Sequence, residues 1–488
     1  MCRLRMREDA NSDARTLYAT EYPAMSQLEQ LTKPPIEPIY WQSAPSQTID
    51  LGSVQVAVPN RAGEEMPPVD AQMRQRFTPR RSLEFFVPAP NDGSPLTRFR
   101  DDFARFDAGT VKIRLPEYGT SVDAFCTSSS FKGFVYTPRL SSVQVRPQST
   151  SISRTVFHLM NWPKLLGTED YILTRSPAER DEAIRCGRFT LVAGDWLITV
   201  AETESTLSAV KLLKENGGDI ITHVGDVRRR DGEKFSTEQL DKLLTILSYF
   251  FSFTFARWSC PCLAVGFDTS GARVYEQLGL ARSASGRWQG SCSWFNEQRT
   301  DFFAELMPGF YRLWSNDVWR HPIADTIHWY VSANRIGSES GVGVDSALLF
   351  TQAALELLSW THCVTDKGMV SEKAFKPRGL SAADRLRLLA RSLDLPLEIP
   401  ACLTELHARR GTNWRDSMHA ITDLRNGLVH PATERSVPCG AYLDAWRLSL
   451  WYIELALLRL CSYSGAYSNR LYRKGAWEIE PVPWSASR

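Results

Sequence analysis

The sequence carries almost no net charge: 57 lysines and arginines stand against 55 aspartates and glutamates, a formal +2. No global field therefore steers the chain onto nucleic acid or an anionic membrane, and any such partner must meet a local patch. Long apolar runs are missing as well. Leu243 to Ala256 is uncharged, but its 14 residues are too few to cross a bilayer as a helix. Leu448 to Leu458 is broken by Glu454. Both stretches are expected to be buried elements. Met1 to Arg7 is basic, yet no apolar run follows it as a secretory signal requires, and Glu8, Asp9 and Asp13 spoil the acid-poor composition of a transit peptide. A soluble, cytoplasmic protein with no membrane partner is expected.

Metal-ligand spacings are lacking. The ten cysteines show one close pair, Cys260 and Cys262, with no second pair to complete a zinc knot, so free thiols in a reducing compartment are expected. The eight histidines include no H-E-x-x-H, and no metal or cofactor is expected. Neither a G-x-x-x-x-G-K-[ST] loop nor a G-x-G-x-x-G after a strand is present. Gly337 to Gly341 has the outline of a nucleophile elbow, but Glu339 occupies the position that needs serine, and a linker between helices is expected. Asn216-Gly217-Gly218-Asp219 reads as a turn.

What is present is material for large cores: 43% hydrophobic residues and 15 tryptophans in 488 residues, enough for two or three domains. Residues 1–40 are expected to be a weakly ordered segment, polar at first and then running through Lys33-Pro34-Pro35-Ile36-Glu37-Pro38. Residues 41–300 have the texture of strands. Ser53 to Val58, Gly109 to Leu115 and Ser142 to Val145 alternate with period two, and Arg188 to Val200 is interrupted by the turn Ala193-Gly194-Asp195. Short runs divided by Gly, Pro, Ser and Asn fit an antiparallel sandwich or barrel, and we expect a sandwich-like domain. A helix is expected near Ser236 to Ser248, where Ser236 and Gln239 have capping-box spacing, with further strands from Phe251 to Phe267.

The texture changes near residue 300. Residues 301–488 read as successive helices: Asp301 to Trp314, Val318 to Arg335, Asp345 to His362, Ser381 to Leu393, Ile399 to Arg410, Trp414 to Val429 and Tyr442 to Tyr463. The fold class is α+β multidomain, a β-rich domain followed by an all-α bundle.

One segment carries chemistry, Leu424-Arg425-Asn426-Gly427-Leu428-Val429-His430-Pro431. A guanidinium grips phosphate oxygens through parallel hydrogen bonds, and an imidazole moves protons near neutrality. Five positions turn a regular helix through roughly 500°, which leaves the two side chains about 140° apart. Pro431 disfavours helical angles at His430 and Gly427 weakens the last turn, so His430 is expected to swing off the helix end toward Arg425. The same letters also fit a last-turn arginine that complements the helix dipole before a terminating His-Pro.

Set late in an all-α domain and before one more long helix, this segment resembles the HEPN superfamily signature of Arg, four to six residues, then His. The branch it is most similar to is the HEPN domain of ApeA-type anti-phage proteins, judged also by Leu348 to Leu358 and by the tail with Tyr467-Ser468-Asn469-Arg470 and Val482-Pro483-Trp484. Less specifically, Val156 to Trp162 and its surroundings are similar to the domain that accompanies such HEPN domains. The resemblance implies a metal-independent endoribonuclease in which the RNA 2′-hydroxyl attacks the adjacent phosphate, leaving a 2′,3′-cyclic phosphate and a 5′-hydroxyl. It implies that Arg425 holds the phosphate, His430 transfers the proton and Asn426 orients one of them. It further implies a homodimer with a composite site, and an abortive-infection effector whose N-terminal domain binds a phage-derived trigger.

Glu356, in a nearly apolar helix, is expected to support the site, more as the partner of Arg425 or another arginine than as a catalytic group. Lys373, Lys376 and Arg378, with Arg385, Arg387 and Arg391, form a basic stretch that fits an RNA-contacting surface and a solvated face equally well. His362, His419, Trp446 and Trp451 are expected to be core or solvated residues. Two alternatives stay open: a HEPN module that binds RNA or nucleotide without cleavage, and a helical dimerisation scaffold.

Overall fold

A computed structural model describes residues 36–57, 68–78, 81–88, 109–115, 120–128, 131–132, 135–136, 139–140, 143–145, 151–167, 187–280, 286, 292–338, 343–376, 378–430, 437–472 and 478–485. Eight strands come first: β1 (Ile49–Ala57), β2 (Val69–Arg76), β3 (Ser82–Pro88), β4 (Gly109–Leu115), β5 (Thr120–Ser128), β6 (Phe131–Lys132), β7 (Val135–Tyr136) and β8 (Arg139–Leu140). Their order is β2-β1-β4-β5-β8-β3-β7-β6, and β3 also pairs with β2. Six strands thus close on themselves, the barrel that the strand pattern also fits rather than the sandwich-like domain expected. Closure removes the exposed edges that an isolated sheet leaves unpaired.

The second sheet is antiparallel, with order β11-β12-β13-β10-β14-β15-β9. It comprises β9 (Val143–Val145), β10 (Arg154–Met160), β11 (Phe189–Ala193), β12 (Trp196–Glu202), β13 (Ile221–Arg229), β14 (Cys262–Phe267) and β15 (Arg273–Leu278). The expected turn at 193–195 joins β11 to β12, with Gly194 at φ +59. Apolar residues of the first sheet, among them Val56, Met73 and Phe85, share one cluster with Met160, Ile221 and Val265 of the second.

Two helices lie within this half. The first, α1 (Thr206–Asn216), was not legible in the sequence. The second, α2 (Thr237–Phe255), has the expected capping box of Ser236 and Gln239. It continues through Phe251–Phe255, where strands were expected, because that run packs its aromatics on every side and the nearest strand starts only at Cys262. A helix apolar all round is a buried helix.

The helical half contains α3 (Asp301–Ser315), α4 (Asp317–Ser338), α5 (Val344–Trp360), a π-helical turn (Thr361–Asp366), the single turn α6 (Glu372–Phe375), α7 (Ala382–Ser392), the single turn α8 (Thr404–His407), α9 (Ser417–Val429) and α10 (Cys439–Leu460). The texture change near 300 is no break in the core. Phe303 of α3 stacks on Phe189 of β11 at 4.8 Å, and one apolar cluster runs from the second sheet through α2 into the bundle. Among the described residues no helix is long and apolar enough to cross a membrane.

The segment expected to be weakly ordered is tied down where it is described, since Ile36 and Tyr40 are buried; residues 1–35 lie outside the described residues. His158 of β10 does the tying. Its Nε2 accepts from the backbone N–H groups of Ile39 and Tyr40, both at 3.0 Å, so Nδ1 carries the proton donated to the Leu263 carbonyl oxygen at 3.0 Å. Tyr40 donates its hydroxyl to buried Glu276.

Burial pushes the His158 imidazole down to about 4 and the Glu276 carboxyl up to about 7. The two act in opposite senses. Stability from neutral His158 is complete above pH 6.5 and lost as pH falls through 4; stability from Glu276 is complete below pH 4.5 and lost as pH rises through 7. Glu276→Gln keeps an acceptor for Tyr40 and removes the second effect. Its urea midpoint at pH 7.5 is expected to rise by the equivalent of about 2 kcal/mol, with a steeper fall from pH 6.5 to 4 than the parent shows.

Candidate functional site

The motif occupies the last turn and C-terminal cap of α9, a helix positioned mainly by its first turn. Asp416 caps it by accepting from the His419 backbone N–H at 2.9 Å. The same carboxylate takes two hydrogen bonds from Arg387 of α7, at 2.7 and 3.1 Å. Burial works to raise the Asp416 carboxyl, but Arg387 outweighs it and the group lies below the usual carboxylate range. Trp414, expected inside the helix, precedes it; it is buried and donates its indole N–H to Asp423 at 2.9 Å.

Along α9, Met418, Ile421 and Thr422 are buried, and Arg425 follows them at helical spacing on the same stripe. It is half-buried: Nε is shut from solvent without a hydrogen-bond partner, while a terminal nitrogen donates to Asn426 Oδ1 at 3.2 Å. An arginine whose Nε is sealed and unsatisfied, while its tip reaches the surface, differs in that one donor from the fully solvated last-turn residue that the bare sequence also allowed.

Asn426 and His430 are exposed. His430 leaves helical angles, at φ −123 and ψ 73, while its backbone N–H still donates to the Asn426 carbonyl oxygen at 2.8 Å. The backbone thus leaves the helix at His430 as expected, without bringing its side chain into a hydrogen bond with Arg425, and Pro431, invoked to cause the turn, lies outside the described residues. Gly427 does not end the helix, which continues through Val429. The structure joins Arg425 to Asn426 by side chains and His430 to Asn426 by backbone. Among the described residues no hydrogen bond or ion pair joins the side chain of His430 to Arg425.

Glu356 lies on α5, against which α9 packs. Its arginine is Arg385 of α7, at 3.7 Å, and not Arg425. It also accepts from Gln352 at 2.8 Å. Arg385 sits over the ring of Phe375 in α6, 5.6 Å from its centre. Both members of this pair are partly exposed, so it orients α7 on α5 more than it stabilises. Of the basic stretch, Lys373, Lys376 and Arg378 are exposed, with Lys376 paired to Glu372 at 2.8 Å. Arg385 and Arg387 are spent inside the bundle on Glu356, Asp384 and Asp416. Only part of that stretch is thus available to a polyanion.

His362 and Trp446 are buried, as expected, and Trp451 donates to the Tyr467 hydroxyl at 3.2 Å in the core. The helix expected from Ile399 to Arg410 shrinks to α8. Its first amides, on Glu405 and Leu406, are taken by the distant carboxylate of Asp444 on α10, at 2.9 and 3.4 Å. No sequence signal near 404 could have shown that cap. Among the described residues no group of histidines, cysteines and acids could hold a metal ion.

The chain is thus a β-rich unit whose second sheet is continuous in its core with a helical unit. Known proteins divide it similarly. Residues 147–289 match the YopA central domain and residues 316–481 the YopA C-terminal domain. The chain is similar to the SPbeta prophage-derived uncharacterized protein YopA of Bacillus subtilis (strain 168), 28% identical over 308 residues, covering 61% of this chain and 66% of that protein. The chain thus spans just under two thirds of that relative's length. No solved structure matches.

Proposed function

We propose that the helical unit is a HEPN-type endoribonuclease that cleaves RNA without metal, with Arg425 as the phosphate-binding cation, His430 as the proton-transfer group and Asn426 holding Arg425. The observation that carries this reading is the C-terminal end of α9. An arginine with a buried, unpartnered Nε is anchored there to the adjacent asparagine, and an exposed histidine leaves the helix one turn later. Such a pair can neutralise charge on a phosphate and relay a proton from a 2′-hydroxyl.

The site is half of a composite one in a homodimer. Exposed apolar side chains on the helices of this bundle support this: Val429 lies within the motif and is 42% exposed, and Leu443 of α10 and Leu349 of α5 are 42% and 38% exposed. A two-fold that covers these residues would bring two copies of the motif together. A prophage-derived relative fits a role in conflict between phage and host. In that role the β-rich unit restrains the nuclease until a phage-derived trigger arrives.

The test is end-labelled RNA incubated with the protein in EDTA, with the termini analysed. Products bearing 2′,3′-cyclic phosphate and 5′-hydroxyl support the reading; intact RNA across a panel of single-stranded and structured substrates, with phage lysate added, sinks it. Val429→Asp places a charge on the apolar patch. It should shift the dimer to monomer in sedimentation and lower cleavage at least tenfold, whereas an unchanged dimer would remove the composite site.

A further inference from the structure

Away from the motif, the ends of α3, α7 and α10 and the π-helical turn line a half-open pocket of about 320 Å³. Its framework is tightly fixed: a Cβ added at Gly309 of α3 would sit 1.9 Å from the Cys461 carbonyl oxygen, so no side chain larger than glycine's lets α3 approach the end of α10. The π-helical turn matters for a second reason. It inserts a wider coil after α5, a departure from regular helix that recurs at functional sites, and it turns His362 and Asp366 to the cavity wall.

The lining is basic on one part and apolar on another. Arg312, Lys367 and Arg459 contribute three positive charges against one from Asp366. Arg459 is already bound to Asp394 at 2.6 Å, and Lys367 lies 3.3 Å from Asp366. The hydrogen-bond partners of Arg312 are neutral, the Cys461 carbonyl oxygen at 3.5 Å and Ser462 Oγ at 3.2 Å. Its charge is held in place without being neutralised. Leu313, Leu393 and Leu460 supply the apolar wall.

His362 is buried in the wall. Its Nε2 meets Ser392 Oγ at 2.7 Å, and its Nδ1 has no protein partner. A buried polar atom left open in this way calls for an ordered water or a ligand group. Burial also lowers the imidazole pKa, so the ring is neutral and adds no positive charge.

We propose that this cavity is a second, separate ligand site, which binds a small phosphate-bearing ligand of nucleotide size. Arg312 and Lys367 take the phosphates, and the leucine wall takes the base or another flat apolar group. The volume is at the lower end for small-molecule sites, which suits one nucleotide and excludes a folded polymer. A guanidinium and an ammonium together match a diphosphate better than a neutral ligand.

Isothermal titration calorimetry of the full chain with ADP and with adenosine tests the site. Saturable ADP binding, weakened at least tenfold in Arg312→Ala/Lys367→Ala and at least tenfold tighter than adenosine, is the expected result. No saturable ADP binding at millimolar concentration, equal affinity in the variant, or adenosine binding as tightly as ADP would each overturn the proposal. Both side chains are exposed, so the variant should keep its melting temperature, and Lys367→Glu alone provides a second reading. RNA cleavage does not enter the measurement, so this site stands or falls apart from the nuclease.

Discussion

Alanine at His430 is expected to slow the proposed RNA cleavage by about 10²- to 10⁴-fold, the range ascribed to a positioned acid-base group. Stability should change by less than about 0.5 kcal/mol, because the side chain is exposed and its residue is held through its backbone. Arg425 behaves differently. Its stem lies on the buried stripe of α9, so alanine there removes packing as well as charge, and the informative replacement is Arg425→Lys. Lysine keeps the stem and the charge but not the planar fork. A fall of about 10-fold or more with a melting temperature near the parent's would identify phosphate recognition by the guanidinium. Parent-like cleavage in both His430→Ala and Arg425→Lys would leave the motif as a helix terminus and nothing more.

Breaking the pair between Glu454 and Arg470 is expected to cost about 3–5 kcal/mol, the largest stability loss anticipated for a single substitution in this chain. Arg470 donates to Glu454 twice, from Nε at 3.0 Å and from a terminal nitrogen at 2.6 Å, and that terminal nitrogen also reaches the Cys292 carbonyl oxygen at 2.7 Å. Tyr330 of α4 donates its hydroxyl to the same carboxylate. The side chains are 3% and 0% exposed, so neither charge can turn to water when its partner is removed.

Burial works against the charge on Arg470, but Glu454 and then Tyr330 outweigh it and hold the guanidinium above its ordinary range. Burial likewise pushes the Glu454 carboxyl up, against the pull of Arg470. The two tendencies point opposite ways for the pair. The two-pronged geometry decides for an ion pair, since a neutral acid would strand a guanidinium that does not deprotonate. Arg470→Ala should therefore lower the urea midpoint far more than the double replacement Glu454→Leu/Arg470→Met, which removes both charges. A double variant as unstable as the single one would show that packing, not charge, holds the tail.

Much of the fold was legible because the signals are local. The capping box at Ser236, the Ser381 cap whose Oγ accepts from the Asp384 N–H at 3.1 Å, and the alternation of Gly109 to Leu115 each depend on residues a few positions apart. The elements misread are those whose local signal is overruled. Phe251 to Phe255 has the aromatics of a strand but is the buried end of α2, and the short α8 borrows its cap from Asp444. Of the candidate site, the sequence pointed to the three motif residues and to an ion pair for Glu356. It did not show that the arginine of that pair is Arg385, that Arg387 is spent on Asp416, or that Nε of Arg425 is shut from solvent.

The sequence by itself determined where most of the strands and the long helices lie, where several caps fall, and that Glu454 interrupts an apolar helix. Only the tertiary structure decided that Arg470 answers Glu454, that six strands close into a barrel, and that four helical ends leave a basic cavity. The physical reason is one of range. Periodicity and capping are written within one or two turns of chain, whereas a buried charge finds its partner only when packing has excluded water and chosen which faces meet.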